Sequence, residues 1–269
     1  MTKMRVGVVA RLDLPPALEL VRKLLKAAPR GSMVLEKKLA ERLGEKGEEV
    51  GEMEVEALLT VGGDGTLLGA HLLAPHLPLL GVHMGRRGFL AEVPPSEAEE
   101  AVKRMVAGKL EVEGRMALAT KVGGERLPDA INDACLTWLR PGKSISFKVL
   151  LEGKTLYEAR GDGLVVATPT GSTGHSLSAG GPVVEPGLEA LIVNSFCTSP
   201  PLPPMVIPSH RKVEVEVTRA DNHASVVVDG QFAREVELGE RILFFKSERP
   251  VSFLRWRGNF YERLREKIW

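Results

Sequence analysis

The stretch from residue 58 to residue 73 constrains the fold more than any other part of this chain. A short apolar run, 57–61, ends in the sequence GGDGT at 62–66, and a second apolar run, 67–73, follows directly. This order predicts a buried strand, a tight turn and a helix. Glycines on both sides of Asp64 leave the backbone uncrowded, so its N–H groups can approach a phosphate at the helix N-terminus.

The carboxylate of Asp64 needs a chemical reason to lie beside a phosphate, because two anions repel each other. It can hold a Mg2+ ion, or it can accept a proton from a hydroxyl group that attacks phosphorus. The turn therefore suggests phosphoryl transfer. Taken alone, a Gly-Asp-Gly turn is explained more simply by an aspartate that caps a helix.

Length and charge restrict the class of protein. A chain of 269 residues is long enough for one large domain or two smaller ones, and we expect two. The 36 Lys and Arg residues nearly balance the 35 Asp and Glu residues, which favours small-molecule substrates over nucleic acid or a membrane. The sequence has no apolar signal core and no run of membrane-spanning length, so we expect a cytoplasmic protein. Cys135 and Cys197 lack metal-ligand spacing, and we interpret both as packing residues.

The first 110 residues have the pattern of an α/β domain. Strands are predicted at 4–10, 57–61 and 78–82, and helices at 16–27, 34–43 and 97–107. Ser96 is the expected N-cap of the last helix, with Glu99 in the capping-box position. The adjacent cations Arg86 and Arg87 follow the third strand and are interpreted as surface charges.

From residue 111 onward the hydrophobic pattern changes to alternation, which predicts short strands joined by glycine turns. The predicted strands are 118–122, 134–139, 146–151, 213–218, 224–228, 235–238 and 251–254. The proline-rich run 200–204 is expected to be a loop or an extended crossing segment. We therefore assign 111–255 to a β-rich domain, and 256–269 to a C-terminal helix that returns to the first domain.

The segment 160–182 is the most polar candidate site. It contains a second Gly-Asp-Gly around Asp162, followed by six Ser and Thr residues threaded with glycines between 168 and 178. A packed core would not tolerate these groups unpaired, whereas a loop that grips a polar ligand needs them. A solvated linker is the alternative, but the apolar residues 164–167 argue against it. Asn132 and Asp133 suit hydrogen bonding to ribose hydroxyls, although an Asn-Asp pair on its own is usually a turn.

Three separated motifs together resemble the NAD kinase family. They are GGDGT at 62–66, Asn132-Asp133, and the segment 162–182, which contains TPTGST at 168–173. Diacylglycerol and sphingosine kinases share the first motif, and phosphofructokinases have a close variant of it. The long TPTGST segment is characteristic of NAD kinases, and the resemblance covers roughly residues 55–231.

The resemblance implies phosphorylation of the adenosine ribose 2'-hydroxyl of NAD, which gives NADP. The donor is ATP, or polyphosphate in some members, and Mg2+ is required but is bound mainly with ATP, so no protein metal site is assigned. The implied fold is an α/β N-terminal domain followed by a β-sandwich-like C-terminal domain, an architecture shared with diacylglycerol kinases. Members usually form homodimers or homotetramers.

The family also implies a role for each matching residue. Asp64 would be the catalytic general base that takes the 2'-hydroxyl proton, and Gly65 would lie against the substrate. Asn132 and Asp133 would hold the adenosine ribose or the adenine. Asp162 would face the nicotinamide end.

Further binding residues are implied along the rest of the dinucleotide. They are Thr170, Thr173, Gly174, His175, Ser176, Leu177 and Ser178, with Lys143, Arg160 and Gln231 at its edge. The chain departs from the family at three places. His175 stands where tyrosine is usual, Asp133 replaces the commoner glutamate, and the segment 197–204 lacks the usual arginine.

Two other functions compete with this interpretation. A lipid kinase of the same superfamily would need an apolar groove for acyl chains, and the hydroxyl-rich segment 168–178 argues against one. A non-catalytic sensor would bind NAD without making NADP, and the intact Asp64 argues against that.

Overall fold

The computed structural model describes residues 4–85, 88–138, 144–220, 224–257 and 260–268, so the predictions for Arg86, Arg87 and Lys143 lie outside the described residues. The chain divides into two compact units. Unit 1 comprises residues 1–114 and 251–269, and unit 2 comprises residues 115–250. Within the described ranges, no helix has both the length and the apolar character needed to span a membrane.

A seven-stranded sheet organises unit 1. Its strands, numbered in chain order, are β1 (Val6–Ala10), β2 (Met33–Glu36), β3 (Gly47–Glu48), β4 (Ala57–Gly62), β5 (Leu79–His83), β6 (Glu111–Arg115) and β19 (Val251–Arg255). Their order in the sheet is β3-β2-β1-β4-β5-β19-β6, and β1, β2, β4 and β5 pair in parallel. Every residue of β4 is buried, as expected for a central parallel strand covered on both faces.

The described part of unit 1 has five α-helices, of which the first, second and fourth in chain order bury apolar residues in one core with the sheet. They are α1 (Pro15–Ala27), α2 (Lys37–Leu43), α3 (Asp64–Leu73), α4 (Ala98–Val106) and α6 (Phe260–Ile268), with short 3-10 helices at Val50–Glu52 and Pro95–Glu97. In α1, Leu20 and Leu24 are four residues apart and pack in this core, because residues at that spacing share one helix face. The α/β character predicted for this part of the chain is confirmed.

Two helix starts in unit 1 differ from the prediction. The predicted helix at 34–43 is strand β2 in its first residues, because Glu36 caps the helix by accepting from the N–H groups of Lys38 and Leu39 at 2.9 and 2.8 Å. Ser96 is not an N-cap, since it lies inside the 3-10 helix that begins at Pro95. Proline fits the first position of a helix, so the turn begins before the serine.

The strand predicted at 251–254 also lies elsewhere than expected. We assigned it to the β-rich domain, whereas β19 pairs in parallel with β5, Phe253 opposite Leu79, in the sheet of unit 1. The strand is short and mostly apolar, a pattern that fits either sheet, so the sequence alone could not show which sheet it joins.

Unit 2 contains two six-stranded sheets whose recorded pairings are antiparallel. The first has, in order, β11 (Lys154–Gly161), β10 (Ile145–Leu151), β15 (Val213–Ala220), β18 (Arg241–Lys246), β7 (Leu118–Val122) and β8 (Glu125–Arg126). The second has β14 (Met205–Pro208), β13 (Ala190–Phe196), β12 (Gly163–Ala167), β9 (Asp133–Trp138), β16 (Ala224–Val228) and β17 (Phe232–Val236). The strand predicted at 235–238 is β17, which begins and ends earlier.

Burial along these strands shows where the core of unit 2 lies. On β10 the residues Ile145, Phe147 and Val149 are buried and alternate with more exposed ones, as on a sheet with one covered face. Strand β12 is buried throughout, and a 3-10 helix, Thr170–Thr173, and helix α5 (His175–Ser178) follow it. The hydroxyl-rich segment therefore leaves the carboxyl end of a central strand.

Candidate active site

Asp64 is the first residue of α3 and is separated from the end of β4 by Gly63 alone. Its carboxylate accepts three backbone hydrogen bonds from one loop: Phe89 N–H to Oδ2 at 2.8 Å, and Leu90 and Ala91 N–H to Oδ1 at 3.2 and 2.9 Å. A carboxylate has about four lone-pair sites, so this half-buried group is fixed in position and keeps acceptor capacity on Oδ2. The carboxylate contacts recorded here go to the loop, which does not support the interpretation of Asp64 as a helix cap.

The glycines around Asp64 have two different purposes. A Cβ added at Gly88 would lie 1.7 Å from Asp64 Oδ1, so only glycine lets the loop close on the carboxylate. A Cβ at Gly63 or Gly65 would meet nothing within 4 Å, whereas one at Gly62 would lie 2.3 Å from Thr66 Oγ1. The backbone around Asp64 thus borders open space, which leaves room for a ligand to approach its N–H groups.

The loop that holds Asp64 is itself tied down. Glu92 follows it directly, and its buried carboxylate accepts from Trp256 N–H at 2.5 Å and from Arg263 Nη1 at 2.9 Å. The next residue, Val93, pairs with Val82 of β5. Because both strand and helix hold this segment, its three donors are preorganised toward Asp64.

A second carboxylate with the same kind of support lies in unit 2. Asp229 accepts the N–H groups of Ile131, Asn132 and Asp133 at 2.7, 2.8 and 3.0 Å, and its own N–H donates to the Asp133 carbonyl at 2.9 Å. Its φ of 49° and that of Gly230, 65°, form the turn that points the carboxylate back at this backbone. Asp229 therefore fixes the Asn132-Asp133 turn.

Burial dominates the electrostatics of Asp229. The side chain is almost fully buried, and burial raises its pKa to about 7, although the three backbone N–H donors favour the ionised form and lower it. The charge of the nearby Asp133 adds to the upward shift. The sequence analysis missed Asp229, although an Asp-Gly turn directly after a buried strand was a signal for it.

Asp133 connects the turn to His175 and Cys135. Its Oδ1 lies 3.1 Å from His175 Nδ1 and accepts from Cys135 Sγ at 3.4 Å, while Asp133 itself is 1% exposed. The hydrogen bond and the negative charge of Asp133 raise the pKa of His175 above its ordinary value. Burial, followed by the charge of Asp133, raises the pKa of the Cys135 thiol. The imidazole at the position of the family's tyrosine is thus anchored to the predicted adenosine-binding carboxylate.

The hydroxyl-rich segment folds onto the same turn. Thr168 Oγ1 donates to the Ile131 carbonyl at 2.6 Å, and a Cβ at Gly171 would lie 2.0 Å from the Asn132 oxygen. Ser172 Oγ binds both backbone groups of Val184. Ser176 Oγ, in contrast, is buried without a hydrogen-bond partner in the part of the chain that the structure describes. The segment thus combines hydroxyls that make structural hydrogen bonds with one buried hydroxyl that has no partner among the described residues.

The second Gly-Asp-Gly differs from the first. A Cβ at Gly161 would lie 2.5 Å from the Cys197 oxygen, and one at Gly163 would lie 2.1 Å from the Leu136 oxygen, so these glycines serve close strand packing. Asp162 is half-buried, and its hydrogen bond with the Cys197 thiol raises the pKa of that thiol. Cys197 is exposed, so its interpretation as a packing residue was wrong.

The other predicted binding residues differ in how exposed they are to solvent. Arg160 is exposed, and its Nε donates to Ser144 Oγ at 2.6 Å. The rest have these environments: Gly65, Ser178 and Gln231 are exposed, Thr173, Gly174 and Leu177 are half-buried, and Thr170 is buried. The described contacts thus bring Asn132, Asp133 and His175 together in unit 2, while Asp64 belongs to unit 1.

Comparison with solved structures shows the class of protein. Yeast NADH kinase, solved in complex with NADH, matches 100% of this chain and 88% of its own with a TM-score of 0.87 at 20% identity, which shows the fold. An NAD kinase from Archaeoglobus fulgidus, solved in complex with ATP, matches 98% of both chains with a TM-score of 0.77 at 28% identity. The fold is therefore that of kinases that phosphorylate nicotinamide dinucleotides.

Sequence comparison gives the family. The ATP-NAD kinase N-terminal domain matches residues 6–110, and the ATP-NAD kinase C-terminal domain matches residues 131–256. The NAD kinase of Methanothermobacter thermautotrophicus is 35% identical over 273 residues, covering 98% of this chain and 96% of its own. That of Pyrococcus abyssi is 37% identical over 278 residues, covering 98% and 99%. The chain belongs to the ATP-NAD kinase family, which confirms the resemblance seen in its motifs.

Proposed function

We propose that this protein transfers the γ-phosphoryl group of ATP to the adenosine ribose 2'-hydroxyl of NAD, with Asp64 as general base. One observation carries the catalytic assignment. The Asp64 carboxylate is fixed by three backbone N–H groups beside an open glycine turn, and its Oδ2 accepts only one of them. A carboxylate held in this way can accept a proton without having to move.

The reaction follows from that geometry. Asp64 Oδ2 takes the proton of the 2'-hydroxyl, the ribose oxygen forms a bond to the γ-phosphorus, and the bond from that phosphorus to the β-phosphate oxygen breaks. The products are NADP, ADP and one proton. Positioning and charge neutralisation supply most of the acceleration in phosphoryl transfer, which suits a site built from rigid backbone donors.

The donors around Asp64 also fit a particular way of holding Mg2+. Oδ1 accepts two N–H groups and Oδ2 accepts one, and the proposed reaction uses the remaining capacity of Oδ2 for the 2'-hydroxyl proton, so we do not assign Asp64 as a dedicated metal ligand. Mg2+ is commonly bound through nucleotide phosphates with few protein carboxylates, and when bound it neutralises developing phosphate charge. The open backbone at Gly63 and Gly65 leaves room for those phosphates.

Recognition of the adenosine is assigned to the turn that Asp229 fixes. Asn132 offers a side-chain amide and Asp133 a carboxylate, the groups that hydrogen-bond ribose hydroxyls and an adenine edge. His175 is 64% exposed at its side chain and is held by Asp133, so its imidazole can stack on a base. Ser176, whose hydroxyl has no hydrogen-bond partner among the described residues, is assigned as a further donor for the dinucleotide.

The remaining family assignments belong to the same proposal. Asp162 faces the nicotinamide end, and the binding residues implied by the family line the rest of NAD. The protein acts as a homodimer or homotetramer in the cytoplasm. A lipid kinase is not favoured, because the sequence relatives above are all named NAD kinases.

The first test measures NADP formation from NAD, Mg2+ and ATP, with polyphosphate as an alternative donor. Asp64→Ala should lower kcat by about 100-fold or more, the usual contribution of a general base, while NAD still binds. Thermal unfolding of the variant confirms that it is folded. If the wild-type protein binds NAD but makes no NADP with either donor, the proposal fails and the protein is the non-catalytic sensor of NAD.

A second test perturbs Asp64 without replacing it. Gly88→Ala places a methyl group 1.7 Å from Asp64 Oδ1, whereas Gly85→Ala, three residues earlier, meets nothing within 4 Å. We expect Gly88→Ala to lower kcat at least tenfold with little change in KM for NAD, and Gly85→Ala to leave both constants unchanged. Equal effects of the two substitutions would contradict the role given to this loop.

A further inference from the structure

A cluster of three metal-ligating side chains lies in unit 2, at a place where the sequence spacing gave no sign of one. Asp133, Cys135 and His175 each offer one ligand atom, and these atoms all lie within 4.8 Å of one another. Two separations are shorter: His175 Nδ1 to Asp133 Oδ1 is 3.1 Å, and Cys135 Sγ to the same oxygen is 3.4 Å. We call this group the Asp-Cys-His cluster.

Two of the three separations in the cluster are close to the edges of a zinc tetrahedron, and the third is within 4.8 Å. Typical bonds of about 2.0–2.2 Å to nitrogen and oxygen and about 2.3 Å to sulfur place tetrahedral ligands about 3.4 Å (N to O) and about 3.6 Å (S to O) apart. The measured 3.1 and 3.4 Å are each about 0.3 Å or less from these values. Small side-chain shifts would therefore admit the ion.

Strand geometry holds two of the ligands in place. Asp133 and Cys135 are two residues apart on β9, so both side chains point to the same face of the sheet. The backbone N–H of Asp133 is bound by the Asp229 carboxylate, which restricts the carboxylate end of the cluster. The third ligand, His175, is largely exposed at its side chain, which gives an ion and a fourth ligand, such as water, a route from solvent.

The chemistry of the three donors selects the class of metal. A thiolate, an imidazole and a carboxylate together suit Zn2+ and similar divalent transition metals, while Mg2+ and Ca2+ prefer oxygen ligands alone. We propose that the Asp-Cys-His cluster binds Zn2+ through Asp133 Oδ1, Cys135 Sγ and His175 Nδ1. On binding, the Cys135 thiol releases its proton to solvent, and the neutral imidazole carries its proton on Nε2.

Occupancy of this site has a consequence for the enzyme, and this part of the inference rests on the proposed function. Asp133 and His175 are assigned to adenosine binding, so Zn2+ and NAD compete for the same side chains. Cys135 packs against the apolar residues of unit 2 and has no assigned contact with NAD. A substitution at Cys135 therefore separates the two ligands.

Cobalt is the direct probe of the site, because Co2+ replaces Zn2+ and a thiolate-cobalt bond gives a charge-transfer absorption that no oxygen or nitrogen ligand gives. The full-length protein, purified with a chelator and then freed of it, is titrated with Co2+. We expect the band in the wild-type protein, its loss on adding Zn2+, and its absence from Cys135→Ala. Cys197→Ala removes the other cysteine and should keep the band.

Affinity for Zn2+ is measured on the same variants by competition with a chromophoric chelator. Loss of an outer-shell partner alone weakens metal binding by about 10–100-fold, so loss of the Cys135 ligand should weaken it by about 100-fold or more. A wild-type protein without the thiolate band, or a band that survives in Cys135→Ala, overturns the site.

The competition with NAD is tested by NAD binding without ATP, with and without Zn2+. Zn2+ should raise the apparent Kd for NAD in the wild-type protein and in Cys197→Ala, with at least a tenfold smaller effect in Cys135→Ala. An unchanged Kd in the presence of bound Zn2+ overturns the overlap. If NAD does not bind at all, the proposed function fails while the cobalt spectrum still reports on the metal site.

Discussion

Replacing Arg263 with methionine tests how the C-terminal helix supports the loop that binds Asp64. Arg263 and Glu92 are each about 2% exposed, and Arg263 Nη1 lies 2.9 Å from Glu92 Oε2. Removing the arginine leaves a buried carboxylate short of its principal positive partner. Methionine keeps much of the side-chain volume, so the change is mainly one of charge.

The expected magnitude follows from the contacts that remain. Breaking a buried ion pair by removing one partner typically costs about 3–5 kcal/mol. Glu92 would keep the Trp256 N–H at 2.5 Å and Arg255 Nη1 at 3.5 Å, so we expect the lower end, about 3 kcal/mol. At about 2–4 °C per kcal/mol for a chain of this size, Arg263→Met should lower Tm by about 6–12 °C.

Calorimetry on four proteins separates the ion pair from other effects. They are the wild type, Arg263→Met, Glu92→Gln and the double variant, in which neither charge is left buried alone. The double variant should recover about 2 kcal/mol relative to the sum of the single changes. Arg265→Met, at an exposed position of the same helix, is the control and should change stability by less than about 0.5 kcal/mol.

Activity gives the second measurement. The Glu92 segment continues directly from the three donors that hold Asp64, and Lys267 Nζ lies 4.4 Å from the Phe89 ring centroid. At temperatures where Arg263→Met is folded, we expect kcat to fall while KM for NAD stays nearly constant. The reasoning is refuted if the free energy of unfolding of Arg263→Met lies within about 0.5 kcal/mol of the wild type. It is also refuted if the effects of Arg263→Met and Glu92→Gln simply add in the double variant.

Three further predictions concern unit 2. Asp229→Ala should lower the free energy of unfolding by about 2–4 kcal/mol in urea denaturation, because three backbone N–H groups lose their acceptor, and Asp229→Asn, which keeps one oxygen, should lose less. Ser172→Ala should lower the free energy of unfolding by about 1–3 kcal/mol, because Ser172 Oγ bonds both backbone groups of Val184. Ser176→Ala removes a hydroxyl that has no partner among the described residues, so it should leave the stability unchanged but weaken NAD binding several-fold in a direct titration. The hydrogen bond with Arg234 lowers the pKa of Glu240 in the folded protein. The pair therefore stabilises the folded state fully above the unfolded Glu pKa of about 4.3, and this stabilisation is lost as the pH falls through the lower folded pKa. Glu240→Gln should make Tm less dependent on pH in that acid range, as measured by thermal unfolding at a series of pH values.

The sequence predicted the elements that depend on local pattern. The strand, turn and helix around Asp64 follow from an apolar run, the GGDGT sequence at 62–66 and a second apolar run, and the structure contains them as β4 and α3. Strand β19 was assigned to the wrong sheet, because partner choice depends on distant residues such as Leu79. Local periodicity carries no information about which sheet a short apolar strand joins.

Within the candidate site, the sequence identified side chains but not what holds them. Asp64, Asp133 and His175 stand in recognisable motifs, whereas their supports come from distant positions. Gly88 and Asp229 are examples: one admits the Asp64 carboxylate and the other fixes the Asn132-Asp133 turn. Such contacts join residues up to 98 positions apart, so no window of the sequence shows them.

Asp64 and Asp229 show how one structural device can serve two purposes. Each carboxylate accepts three N–H groups from consecutive residues of a distant segment, and each precedes a glycine. Asp229 is 5% exposed, so its bonds can only fix the backbone, whereas Asp64 is half-buried beside glycines that border open space. The same number of bonds that makes Asp229 a structural group therefore holds Asp64 in a fixed position beside open space. Access to the remaining lone pair, rather than the motif or the number of hydrogen bonds, is what separates the proposed base from the structural carboxylate.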